Sequence, residues 1–112
     1  MYKYFNEKDD PNMIGLHDKL MMMLDNARAF AGIPFIITSG LRTKEKNEKV
    51  GGVSNSAHLT GLACDLRCNN SKNRYSIVYA LLMAGFKRIE INSAHIHVDI
   101  DDTKEQDIIF FK

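Results

Sequence analysis

The sequence predicts an α+β domain in which helices flank a small, mostly antiparallel sheet. Three patterns carry that expectation. Leu16, Leu20, Met23, Leu24, Ala27 and Ala31 recur at helical spacing within residues 12–31. Runs at 34–40 and 61–68 read as strands, the first β-branched and the second alternating. Late in the chain, 87–92 and 95–101 read as the two strands of a closing hairpin. A leading helix, separate strands and a late hairpin are the order of an α+β fold.

Residues 1–11 are polar, end in Asp10-Pro11 and read as an N-terminal arm. The run MMML at 21–24 lies inside the first helix and reads as core filling, because methionine adapts to irregular gaps. His17, between Leu16 and Asp18, reads as helix-terminal and not as a ligand. Gly32 stops the helix. Thr43 is placed to cap a short polar helix, KEKNEKV, and GGVSNS at 51–56 is a loop. Ser71 opens a third helix over 72–85, with Tyr75, Val78, Leu81 and Leu82 as its inner stripe. The tail DIIFFK is expected to pack as a last short strand.

With 112 residues the chain reads as one domain, 1–112, able to build a core without disulfide or metal staples. The composition is that of a soluble globular protein, 45% hydrophobic and 26% charged. Fifteen basic residues against 14 acidic ones leave a net charge of +1, which gives no footprint for nucleic acid or a membrane surface. Cys64 and Cys68 lie four apart on one strand, beyond disulfide reach of each other, and point to a reducing compartment. The opening MYKYFNEKDDPNM lacks the apolar core of a signal peptide, and no run approaches membrane-spanning length. The expectation is a monomer made in the cytoplasm, with no membrane insertion.

The chemistry concentrates in two places. In a strand, side chains alternate, so His95, His97 and Asp99 share one face while Ile96, Val98 and Ile100 share the other. Likewise Leu62, Cys64 and Leu66 oppose Ala63, Asp65 and Arg67. If these strands are neighbours, Asp65 faces His97 and His58 reaches in from the loop. Two imidazole nitrogens and a carboxylate oxygen make a three-ligand zinc site with an open fourth position, as a catalytic zinc requires. Taken singly, each histidine reads better as a loop or surface residue; one zinc site accounts for all three positions together. A structural zinc on Cys64 and Cys68 is disfavoured, since both thiols turn away from Asp65. They read as packing residues.

SAHLTGLACD (56–65) resembles the S-x-H-x-x-G-x-A-x-D signature of the zinc D-Ala-D-Ala carboxypeptidases, and HIHVD (95–99) resembles their later H-x-H strand. That family lies within the lysostaphin, D-Ala-D-Ala peptidase and hedgehog group of zinc domains. The likeness extends from about residue 12 onward, through GIPFIITSGLRTKEKNEKVGGVSNSAH and ALLMAGFKRIEI. It implies one zinc ion on His58, Asp65 and His97, with Arg42 holding substrate or polarising its scissile carbonyl. A guanidinium suits that work because it pairs bidentately and stays charged. Ser56 is implied to touch substrate or orient a ligand, and Gly61 and Ala63 to keep the floor beside the metal clear.

The implied reaction is hydrolysis of a peptide bond in the peptidoglycan stem by a zinc-bound hydroxide, as a carboxypeptidase or an endopeptidase. Several branches of the family carry Glu or Asp three residues before the last zinc histidine, where this chain has Ala94. His95 is therefore the leading acid/base candidate, and Glu90 the alternative. Without an export signal, an endolysin-like protein of phage origin acting on the cell wall is the expectation. The other class to weigh is a non-catalytic zinc-containing binding module of the same fold.

Overall fold

The computed structural model describes residues 1–111 and is α+β, as predicted. Its elements in order are β1 (Ile37–Ser39) after α1 (Asp18–Ala31), then α2 (Lys44–Lys49), β2 (Ala63–Arg67), α3 (Ser71–Met83), β3 (Arg88–Ile91), β4 (His95–Asp99) and β5 (Ile108–Phe111). Short 3-10 turns lie at Pro11–Met13 and Ala57–Thr60. The five strands form one sheet in the order β1-β2-β4-β3-β5, antiparallel except where β5 runs parallel to β3.

One parity of the strands feeds the core. Cys64, Leu66, Ile89, Ile96 and Val98 are buried in it. They pack with Leu20, Met21, Leu24 and Ala27 of α1 and with Ile77, Ala80 and Leu81 of α3. The other parity is left to the polar residues, as strand alternation requires. Both cysteines are buried and free, in the packing roles expected of them. Among the described residues no helix is long and apolar enough to cross a membrane.

Several boundaries differ from the sequence reading, each for a local reason. The first helix begins at Asp18 and not near residue 12, because Gly15 adopts φ +85° and breaks the turn. His17 is its N-cap, its Nδ1 accepting from the Lys19 N–H at 3.3 Å. The strand expected at 34–40 shortens to Ile37–Ser39 with an irregular register against β2. Its first residue, Pro34, has no N–H to give a ladder. Asn70, and not Ser71, caps α3 through the Asn73 N–H.

The inner stripe of α3 is Ile77, Ala80 and Leu81, with Val78 partly buried. Tyr75 and Leu82 face solvent at 74% and 49% exposure. This helix is apolar around most of its girth, so spacing alone does not select the buried side. Tyr75 and Tyr79 stack on each other outside. The N-terminal arm is folded down as well: Phe5 is buried, and the Lys3 and Tyr4 amides donate to the Asp25 carboxylate. The tail is a strand over Ile108–Phe111, with Lys112 outside the described residues.

Candidate metal centre

The sheet register lays out the polar face directly. Ser39, Asp65, His97, Glu90 and Phe110 pair in turn across all five strands, forming one row. Asp65 and His97 sit on β2 and β4, two of the three strands flanked by partners on both sides. His58 comes from the 3-10 turn Ala57–Thr60 that precedes β2. Ser56 caps that turn, its Oγ accepting from the His58 N–H at 3.2 Å. Gly61 closes it at φ +75°. A Cβ on Gly61 would meet the Gly15 carbonyl oxygen at 2.6 Å, so this glycine serves the turn's packing and not the clearance of a metal floor.

His58, Asp65 and His97 each offer a ligand atom within 4.8 Å of the others. His58 Nε2 lies 3.2 Å and His97 Nδ1 3.1 Å from the same oxygen, Asp65 Oδ1. The far nitrogens of both rings are committed. His58 Nδ1 donates to the Gly40 carbonyl at 2.8 Å, and His97 Nε2 donates to Asp99 Oδ2 at 2.8 Å. A carbonyl and a carboxylate only accept, so each neutral ring must direct a lone pair at Asp65. Three acceptors converging on one point need a cation or an extra proton between them. Two imidazoles and a carboxylate, each held from behind in this way, are a donor set suited to zinc.

The electrostatics agree. Burial pushes the Asp65 carboxyl up, but the close approach of the His58 and His97 rings outweighs it and holds the group well below the usual range. Burial pushes the His97 imidazole down, yet Asp65 and Asp99 together raise it to about 9. In the metal-free protein a proton on His97 thus supplies the missing positive charge. Asp99 is held low against its burial by the His97 hydrogen bond, the Asp101 N–H and Arg88.

The other predicted residues gather around this point. Arg42 Nη2 donates to Asp65 Oδ2 at 3.2 Å, its Nε donates to Ser39 Oγ and its Nη1 donates to Asn47 Oδ1. His95 Nε2 lies 3.7 Å from Asp65 Oδ2, with the ring partly exposed. Glu90 is directly across from His97 on β3. Arg42, Ser56, Glu90 and His95 all line one open cavity of about 560 Å³ that also contains the three ligand candidates.

Asp99, which the sequence leaves open as either a partner behind the ligands or a plain strand-end residue, orients His97. Two further supporting residues escape sequence reasoning. Gly40 orients His58 through its backbone oxygen, which no side-chain pattern reveals. Asn47, only 2% exposed, braces Arg42 and accepts its place by donating to the Val53 carbonyl at 2.7 Å. Only Asp99, two residues from a ligand on the same strand face, left a readable signal.

A family described as Peptidase M15 matches residues 5–101. Among solved structures, the L-Ala D-Glu endopeptidase ChiX of Serratia marcescens superposes with a TM-score of 0.71 at 20% identity, over 88% of this chain and 90% of that one. At that identity the likeness speaks for the fold. No curated protein sequence matches the chain.

Proposed function

The chain belongs to the peptidase M15 family, and from that premise we propose that it hydrolyses a peptide bond in the stem peptide of bacterial peptidoglycan with one zinc ion. His58, Asp65 and His97 would hold the ion. The observation that carries this reading is the convergence of two committed imidazoles on Asp65 Oδ1, at 3.2 and 3.1 Å. The Serratia protein of the same fold acts on an L-Ala D-Glu bond, and a stem-peptide bond of that kind is the substrate class proposed here. The cell wall is then the place of action.

Zinc supplies Lewis acidity, polarising a carbonyl and making water a competent nucleophile at neutral pH. The remaining work falls to the chain. Arg42 holds a substrate carboxylate or the scissile carbonyl oxygen, its guanidinium aimed by Ser39 and Asn47. His95 takes the proton from the attacking water and delivers it to the departing amine. Glu90, one strand further from Asp65, is the alternative proton acceptor. Ser56 contributes by fixing the turn that carries His58, since its hydroxyl oxygen is spent on that backbone N–H.

Mass spectrometry of purified peptidoglycan digested with zinc-loaded protein tests the proposal. New amino termini or released D-alanine on stem peptides are expected, with loss of both in His58→Ala. A folded, zinc-loaded protein that binds muropeptides and leaves every stem bond intact would make it a binding module instead.

A further inference from the structure

Two loops help wall the cavity, and one ammonium joins them. The first, 51–56, follows α2 and ends at Ser56, whose hydroxyl caps the turn that carries His58. The second, 100–107, leaves β4 just beyond His97 and Asp99. Val53, Ser56 and Lys104 all line the cavity. Lys104 Nζ donates to the Asn55 carbonyl and to Asp101 Oδ2, both at 2.6 Å. Among the described residues no other hydrogen bond connects these two loops.

The Asp101 end of this bridge is built to stay put. Asp101 is 8% exposed, and its Oδ1 accepts from the Thr103 N–H at 3.1 Å and the Thr103 hydroxyl at 2.6 Å. Its own N–H donates to Asp99 Oδ1, behind His97. The Asn55 end has no such anchorage. Val50 and Val53 are exposed, so little apolar packing holds the loop in place. Its other ties run back to the end of α2, from Asn47 Nδ2 to the Val53 carbonyl and from the Gly52 N–H to the Asn47 carbonyl.

We infer that Lys104 is a positioning residue: its ammonium straps the 51–56 loop to the segment after β4 and holds the cavity in its substrate-accepting shape. The inference rests on the proposed reading of this cavity as the peptidase site and adds what keeps its wall in place. The residue type fits the task. An ammonium on a flexible four-carbon stem donates to acceptors on two different segments at once. Both bonds are charge-assisted, and the Asp101 carboxylate offsets the cost of drawing the ammonium partly out of water. The strap crosses 49 residues of sequence. It joins the stretch leading into His58 to the stretch leaving His97.

Lys104→Met keeps the stem and removes the donors. In metal-free protein, amide exchange at Ser56 and His58 is expected to quicken about tenfold, with Val98 in the sheet unchanged. On peptidoglycan peptides KM should rise about tenfold with kcat within about twofold, since the wall and not the reacting groups has moved. Aminoethylation of Lys104→Cys rebuilds a lysine-like ammonium while Cys64 and Cys68 are shielded by burial. It should restore exchange and KM, which Lys104→Cys alone does not. In wild type, 15N relaxation should show the Lys104 ammonium more restricted than those of the exposed Lys8 and Lys72. A loop that exchanges no faster in Lys104→Met would overturn the inference, as would a fall in kcat with KM unchanged. So would a Lys104 ammonium as mobile as those of Lys8 and Lys72, a reading that needs no variant to fold. Exchange and relaxation use no substrate. A protein that cleaves no stem bond would therefore count against the proposed function, while these two readings still decide the role of Lys104.

Discussion

Asp99 shows how much of the proposed metal site lies behind its candidate ligands. Its Oδ2 accepts from His97 Nε2 at 2.8 Å, while Oδ1 is occupied by the Arg88 Nε and the Asp101 N–H, each at 3.1 Å. In Asp99→Asn those two donors claim the amide oxygen, and the amide nitrogen is pressed against the His97 N–H. The ring is expected to turn and zinc affinity to fall about 10–100-fold, measured by competition against a chromophoric chelator. An affinity equal to wild type would show that His97 is aimed by the sheet alone. At this scale the sequence was informative wherever a side chain's face decided the matter. Asp65 and His97 were readable because a carboxylate or histidine on the polar parity of a strand stands out, whereas His58 lies on the turn before β2 and was joined to them through its place in the loop and the motif it belongs to. Gly40 was not readable, since what it contributes is a backbone oxygen.

Elements were legible in kind and less so in their limits. The caps at Thr43 and Gly32 formed as local chemistry dictates, the former accepting from the Lys46 N–H and the latter at φ +67°. The buried side of α3 was misread, because Tyr75 and Leu82 share its apolar girth with the residues that enter the core. Tertiary packing decides between them: Leu81 is fully buried, and Tyr75 is 74% exposed. Leu81→Ala is expected to destabilise by about 2–5 kcal/mol, whereas Tyr75→Ala should stay within about 0.5 kcal/mol. Chemical denaturation of the two variants separates them, and equal losses would place the core on the other side of the helix.

Across the whole molecule, a proton and the proposed zinc ion would compete for one place. The folded metal-free protein holds a proton on His97 up to about pH 9, against 6.5 for a free imidazole. That proton stabilises the fold fully below 6.5, and its contribution is lost as pH rises through 9. Asp65 and Asp99 act in the opposite sense, stabilising at higher pH and losing their contribution in acid. Zinc must displace the His97 proton, so its affinity should rise about tenfold per pH unit from 7 toward 9 and then level off. Chelator competition across that range reads the slope, and a flat profile would remove the proton from His97. The order β1-β2-β4-β3-β5 has a kinetic corollary. Asp65 and His97 ride interior strands that separate only when the sheet does, while His58 rides a four-residue turn, Ala57–Thr60. That turn is a hinged door set against two fixed walls, and a captured ion leaves by the door. Amide exchange at Leu59 and Leu62, whose hydrogen bonds close the turn, should therefore outpace exchange at Val98 and match the rate of zinc loss into excess chelator. Zinc lost only as slowly as Val98 exchanges would mean that the ion escapes through global unfolding.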